Sequence, residues 1–238
     1  MRGKILAKEW GLERGSSLVF ERKRKMVRLL IVRHGYSLTN KDKKYTGQTD
    51  VPLDRIGHLQ AEAAARYIAE KYKVDAIYSS DLCRAVETAR PLSERLSLPI
   101  YKDARLREYF MGEWEGMGFA EAKEKFSETA AILKSEPWRV RYDGGESMDE
   151  VFMRIRGFME EILRENEGKT VAVVSHGGAI RQILRYVMHL PPERCSEIPQ
   201  PANASISELE VEGEVTRAVR ISVTEHLAAL RANEIEVR

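Results

Sequence analysis

Two stretches of this chain are apolar at almost every position, residues 27–32 (Val-Arg-Leu-Leu-Ile-Val) and residues 170–174 (Thr-Val-Ala-Val-Val), and each is followed within two residues by a His-Gly pair. Runs that do not alternate with polar residues predict strands buried on both faces, as in a parallel sheet. The groups just past the carboxyl ends of such strands line the ligand crevice. His34 and His176 are therefore expected to meet in one pocket.

Elsewhere the pattern switches to the helical period. Ile56, Leu59, Ala63 and Tyr67 fall on one helix face, with Asp54 as the expected N-cap. A short strand over residues 75–79 runs into a helix from about residue 82, for which Asp81 or Ser80 is the expected cap and in which Pro91 should kink or end the later part. Residues 98–101 read as an edge strand. Residues 112–145, richer in glycine, tryptophan and mixed charge, read as a helical excursion bounded by loops. Ser147-Met148-Asp149-Glu150 is a capping-box pattern ahead of a helix carrying Val151, Ile155, Phe158, Met159 and Ile162. Another helix is expected after His176, then β-rich segments over 204–210 and 215–223 and a short terminal helix. This alternation predicts an α/β fold with a mostly parallel sheet covered by helices.

Composition narrows the picture. A chain of 238 residues with 43% hydrophobic content holds one substantial core and is short for two. The expected organisation is a basic N-terminal extension over residues 1–25, a tail or an upstream start, followed by one domain over 26–238. That extension ends in Arg22-Lys23-Arg24-Lys25 and lacks the apolar core of a secretory signal. A net charge of +2, with both signs interspersed, argues against a dedicated nucleic-acid binder. No apolar run approaches the roughly 18 residues of a membrane helix. Cys83 and Cys195 match neither a disulfide framework nor a zinc spacing, so a reducing, cytoplasmic location fits best.

The surroundings of the two histidines suggest anion chemistry more than metal chemistry. Arg33 stands beside His34, and His176 opens onto Gly177-Gly178 and a helical stretch whose amides favour negative charge. Phosphate is the first expectation. Taken singly, Arg84 and Glu108 read as surface charges, Asn40 as a turn residue, and either histidine as structural. Their combination is what carries weight.

The segment Arg33-His34-Gly35-Tyr36-Ser37-Leu38-Thr39-Asn40 resembles the Arg-His-Gly signature of the histidine phosphatase superfamily, also called the phosphoglycerate mutase-like family. Further segments agree in order and spacing. Residues 47–53 resemble its Gly-x-x-Asp-x-Pro-Leu loop, and Ser79-Ser80-Asp81-Leu82-Cys83-Arg84-Ala85 resembles its second arginine motif. Leu106-Arg107-Glu108 with Gly112-Glu113-Trp114-Glu115-Gly116 is similar to its acid motif, and Ser175-His176-Gly177-Gly178 to its second histidine motif; Gly145-Glu146-Ser147 matches another common element. The likeness spans about residues 27–207. It departs at Tyr36, where many members carry Glu, and at Ser37, where many carry Thr.

The resemblance implies a three-layer α/β/α, phosphoglycerate mutase-like fold and a metal-independent phosphomonoesterase without cofactor. His34 would be the nucleophile, with Arg33, Arg84, Asn40, His176 and the Gly177 amide around the phosphoryl group. Glu108, which should be partly buried, would act as general acid and then general base. Tyr36, Gly47, Arg139 and Arg141 are carried as substrate-binding candidates, the last two in a cap over residues 116–145 that would favour acidic metabolites. The text after Glu108 is more like the phosphatase branches than the cofactor-dependent mutases, so hydrolysis is expected, with the mutase as the alternative. A silent relative that binds phosphorylated ligands or proteins is a second alternative, although every key residue is present. The expected partner is a small phosphorylated metabolite, with no nucleic acid and no membrane. Family analogy allows a homodimer, for which no sequence patch can be named.

Overall fold

The computed structural model describes residues 25–230. Expectations for residues 1–24 and 231–238 lie outside the described residues. In chain order the elements are β1 (Val27–Arg33), α1 (Leu38–Lys41), α2 (Arg55–Lys71), β2 (Ala76–Ser79), α3 (Cys83–Leu96), β3 (Ile100–Lys102), α4 (Phe119–Lys125), α5 (Ser127–Ser135), α6 (Met148–Glu165), β4 (Thr170–Ser175), α7 (Gly177–Val187), β5 (Ile206–Glu212) and β6 (Val215–Val223). Three short 3-10 turns, Ala104–Leu106, Gly112–Trp114 and Pro137–Arg139, punctuate the region between β3 and α6. A fourth, Pro192–Glu197, follows α7, and a fifth, Glu225–Leu227, leads into helical residues 228–230 where a terminal helix was expected.

One six-stranded sheet is formed, in the order β3-β2-β4-β1-β5-β6. The first four strands are parallel, while β5 runs antiparallel to β1 and β6 antiparallel to β5. The unbroken apolar runs of β1 and β4 have a simple cause: successive side chains enter opposite cores. Leu30, Val32, Ala172 and Val174 pack with Ala64, Ala65 and Ile68 of α2 and with Ala85 and Ala89 of α3. Leu29, Ile31, Val171 and Val173 pack on the other side with Val151, Ile155 and Phe158 of α6 and with Ile180, Ile183 and Leu184 of α7. The result is the three-layer arrangement expected. No helix among the described residues is long and apolar enough to cross a membrane.

Two local expectations are corrected. Helix α3 runs through Pro91 to Leu96, because Ala85, Ala89 and Leu92 bury a continuous apolar stripe that holds the helix together across the missing amide. Its N-cap is Leu82, which supplies no side-chain cap. Asp81 is drawn away to Arg107 and Ser80 to His176, and the Cys83 amide is instead capped from a distant loop by Asp50 Oδ1 at 2.7 Å. The edge strand falls at β3, on the rim of the sheet.

Register positions the site. Arg33 lies opposite Ser175 in the parallel β1–β4 pair, and the His34 amide donates to the Ser175 carbonyl at 2.9 Å. Both strands therefore end at the same level, and the residue after each is a histidine.

Candidate active site

The imidazoles of His34 and His176 lie with ring centroids 5.1 Å apart, both buried. His34 Nδ1 sits 2.8 Å from the Gly35 carbonyl oxygen, which can only accept, so Nδ1 carries the proton and Nε2 presents its lone pair. Burial, then the Arg84 and Arg33 charges, hold the His34 pKa well below its ordinary value, so the ring is neutral near neutral pH. His176 is lowered in the same way, by burial first and by Arg84 and His34 next. Its Nε2 is 2.8 Å from Ser80 Oγ. Ser80 Oγ also accepts from the Leu82 amide at 3.3 Å and keeps its own proton to give; when that proton goes to Nε2, the ring proton stands on Nδ1. That Nδ1 is buried without a partner among the described residues.

Two arginines close the pocket. Arg84 is 1% exposed, its guanidinium held by the Thr49 carbonyl at 2.9 Å and the Gly47 carbonyl at 2.7 Å. Arg33 donates through Nη1 to the Pro201 carbonyl at 2.6 Å, while its Nε is buried and unpartnered. Burial lowers both pKa values, against the raising field of Glu108. Among the described residues neither guanidinium is in salt-bridge contact with a carboxylate. An unpaired cation is costly where it is buried, as Arg84 is and as the Nε of the half-buried Arg33 is, and a site that carries both is complementary to an anion with several acceptor oxygens.

Gly47 explains how Arg84 is held. Its φ of +54° turns its carbonyl onto the arginine, and a Cβ there would collide with the Glu115 carboxylate. Glu115 in turn accepts from the Gln48, Thr49 and Met111 amides, tying the 47–49 loop to the loop that carries Glu108.

Glu108 is half-buried at the start of α7. Its Oε2 accepts from the Gly178 amide at 2.9 Å, and its Oε1 from Ala179 at 3.2 Å and Tyr109 at 3.0 Å. Gly178 has no room for a side chain, since a Cβ would lie 2.5 Å from Glu108 Oε1. Arg154 of α6 braces the loop, donating to the Arg105, Arg107 and Glu108 carbonyls at 2.7, 2.7 and 2.9 Å while pairing with Glu146 at 2.9 Å. Beside Glu108 opens a cavity of about 170 Å³ whose walls include Tyr109, Leu133, Tyr142 and Arg181. The other nucleophile near Arg84 is inert, because burial and a hydrogen bond to Asp50 push the Cys83 thiol up to about 12.

Sequence candidates are thus brought together unevenly. His34, Arg33, Arg84 and His176 share one pocket, with Glu108 at its edge and Gly177 as the first residue of α7. Asn40 stands further back: its Oδ1 takes the Ser37 amide and hydroxyl at 3.0 Å and Asn203 Nδ2 at 3.3 Å, and Asn203 also holds the His34 and Gly35 carbonyls. Tyr36 makes its hydrogen bonds through its backbone, to Gln60 and Asp54.

Arg139 and Arg141 are not brought to this cluster. Both are exposed and paired on the surface, Arg139 with Glu136 at 2.9 Å and Arg141 with Glu150 at 2.6 Å, and neither lines the cavity. The 3-10 turn at Pro137–Arg139 turns Pro137 and Val140 inward and leaves the arginines outside.

Sequence reasoning missed Ser80, Arg154, Arg181 and Asn203. One of them left a trace: Arg154 lies three residues after Val151 and four before Phe158, so a charged residue sits on the buried stripe of α6, which demands a partner.

Comparisons with known proteins agree with this geometry. The family model described as the histidine phosphatase superfamily (branch 1) matches residues 29–224. Phosphoserine phosphatase 1 of Hydrogenobacter thermophilus is 33% identical over 202 residues, covering 85% of this chain and 95% of that protein. A 2,3-bisphosphoglycerate-dependent phosphoglycerate mutase 2 of Gloeobacter violaceus is 36% identical over 180 residues, 73% of this chain and 81% of its own. Among solved structures, a mycobacterial glucosyl-3-phosphoglycerate phosphatase complexed with VO3 superposes with a TM-score of 0.78 at 29% identity, covering 83% of this chain and 99% of the other.

Proposed function

This chain belongs to branch 1 of the histidine phosphatase superfamily and is a phosphomonoesterase, and on that premise we propose that it hydrolyses small phosphate monoesters through a phosphohistidine formed on His34. What supports the reading above all is the buried Arg84 and the half-buried Arg33, neither with a carboxylate in contact among the described residues, set around a neutral imidazole whose Nε2 lone pair is free.

In the first step His34 Nε2 attacks phosphorus in line, the P–N bond forms and the ester P–O bond breaks, and Glu108 gives its proton to the departing oxygen. Water then attacks phosphorus, Glu108 takes its proton, the P–N bond breaks and inorganic phosphate leaves. Arg33 and Arg84, with the His176 Nδ1–H and the Gly177 amide, hold the three non-bridging oxygens through both displacements. Asn40 acts at one remove, steadying Asn203 and through it the carbonyls on either side of the nucleophile. Gly47 acts through its carbonyl on Arg84. The described residues form one catalytic unit, in which Leu133, Pro137 and Val140 of the 116–145 segment cover the leaving-group side.

Likeness to the Gloeobacter mutase supports a second reading, in which a bound phosphoglycerate hydroxyl replaces water as acceptor. One experiment separates the two. The protein is quenched rapidly with a ³²P-labelled aryl phosphate, and turnover of 3-phosphoglycerate with a trace of 2,3-bisphosphoglycerate is followed by phosphorus NMR. Hydrolysis predicts an acid-labile phosphoprotein that is absent from His34→Ala, and inorganic phosphate with no 2-phosphoglycerate. Growth of 2-phosphoglycerate would make it a mutase, and an acid-stable or His34-independent phosphoprotein would overturn both.

A further inference from the structure

The phosphate pocket uses its cations on the phosphoryl group, yet another arginine stands beside it without a counter-ion. Arg181 lines the cavity next to Glu108, whose other walls include Met111, Leu133, Pro137, Val140 and Tyr142. Its Nη2 donates to the Cys195 carbonyl at 2.5 Å, which fixes the side chain. Its Nε is buried with no partner, and among the described residues Nη1 makes no hydrogen bond and no carboxylate pairs with the guanidinium. The nearby phenols offer it no charge: burial first, and the field of Glu108 next, raise the pKa values of Tyr109 and Tyr142, so both stay neutral. The remaining polar side chains on the wall are the Glu108 carboxylate, the two phenols and the uncharged amides of Gln182 and Gln200, so a fixed cation with unused donors there is complementary to an anionic group on a ligand.

Its position relative to the chemistry is set by α7. The Gly178 amide holds the Glu108 carboxylate, and Arg181 follows three residues later, on the same helix face and about 4.5 Å further along the axis. A leaving oxygen beside Glu108 and a negative group at Arg181 are therefore a short link apart. The cavity is small, about 170 Å³ against the roughly 300 Å³ at which ordinary ligand pockets begin, which suits a small leaving group.

Resting on the phosphatase reading above, we propose that Arg181 is a specificity-determining residue that receives a carboxylate on the leaving group, so that the preferred substrates are phosphate esters of small hydroxy acids with the carboxylate a short carbon link from the ester oxygen. Charge-assisted hydrogen bonds from Nε and Nη1 complete the guanidinium when such a substrate binds, and the neutral ester that lacks the carboxylate leaves them unpaired.

The test compares 3-phosphoglycerate with glycerol 3-phosphate, which replaces the carboxylate by a hydroxymethyl group, and follows an aryl phosphate beside them. The readout is the ratio of kcat/KM for the two glycerol-type esters in the wild type, Arg181→Met and Arg181→Lys. The wild type should favour the carboxylate ester, Arg181→Met should lower the ratio about 10- to 100-fold, and Arg181→Lys should restore part of it. A ratio near one in the wild type, or one that is unchanged in Arg181→Met while both esters fall together, would overturn the assignment. Should Arg181→Met not fold, Arg181→Lys carries the same ratio test, since lysine keeps the charge and loses the fork. Turnover of the aryl phosphate keeps the two levels apart: its loss in the wild type would sink the phosphohistidine reading together with this one, whereas His34-dependent turnover with an insensitive ratio would sink this one alone.

Discussion

Ser80 Oγ lies 2.8 Å from His176 Nε2, so the residue just past β2 holds one nitrogen of the second histidine and leaves the other, Nδ1, without a partner among the described residues. Ser80 accepts the Leu82 amide, and by giving its own proton to the ring it would make the buried Nδ1 a donor, the role the proposed mechanism needs. Ser80→Ala should remove that bias and lower kcat about tenfold, while costing about 1 kcal/mol of stability. Ser80→Thr, which keeps the hydroxyl, should recover most of the rate. Steady-state kinetics with a thermal melt on each variant checks this; a rate loss equal in both variants would point to packing instead.

Arg154 supports the acid without touching substrate. One guanidinium holds three carbonyls of the loop from Arg105 to Glu108 and the Glu146 carboxylate. A lysine keeps the charge and cannot satisfy four acceptors. Arg154→Lys should lower kcat about 10- to 100-fold for alkyl esters, which need a proton on the leaving oxygen, and much less for an activated aryl phosphate, which does not. Equal losses across leaving groups would refute a role for Arg154 in placing Glu108.

The two arginines without counter-ions predict a large effect of oxyanions on stability. Phosphate or vanadate binds the native pocket and not the unfolded chain, so saturating the site a hundredfold above its dissociation constant should add about 2.7 kcal/mol. Differential scanning calorimetry should show the melting temperature rising with added oxyanion. In Arg84→Met, which leaves the Gly47 and Thr49 carbonyls without their donor, the rise should largely vanish.

The histidines make stability depend on pH with a definite sign. Burial and the neighbouring arginines hold both pKa values well below about 6.5, the value they take in the unfolded chain. As pH falls below about 6.5 the unfolded chain takes up protons that the native state refuses, so stability is lost on acidification and is fully present above that value. The loss reaches about 1.4 kcal/mol per pH unit for each histidine. Urea unfolding of the wild type and His34→Gln between pH 7.5 and 5.5 should show the variant less sensitive by about one proton. Activity should likewise keep its His34-dependent acid limb well below pH 6.5.

Arg139 and Arg141 mark where reading from sequence stops. Both stand in the segment that covers the cavity, yet each finds an acid within a few residues or on the next element and turns outward. Arg181, which the sequence did not single out, lines the cavity one turn along α7 from the Gly178 amide that holds Glu108.

What the sequence determined by itself is the sheet and the chemical inventory. Apolar runs such as Leu29-Leu30-Ile31-Val32 can be satisfied only by cores on both faces, and a histidine just past each run must stand at the strand's carboxyl end, because these are consequences of local geometry and burial. Tertiary structure alone decided which charges remain unpaired. Asp81 left its helix cap for Arg107, Asp50 came from another loop to replace it, Arg154 found its carbonyls nearly fifty residues away along the chain, and Arg33, Arg84 and Arg181 have no acid in contact among the described residues. A charge is compensated by whatever lies within a few ångströms in space, and that neighbourhood exists only once the chain has folded.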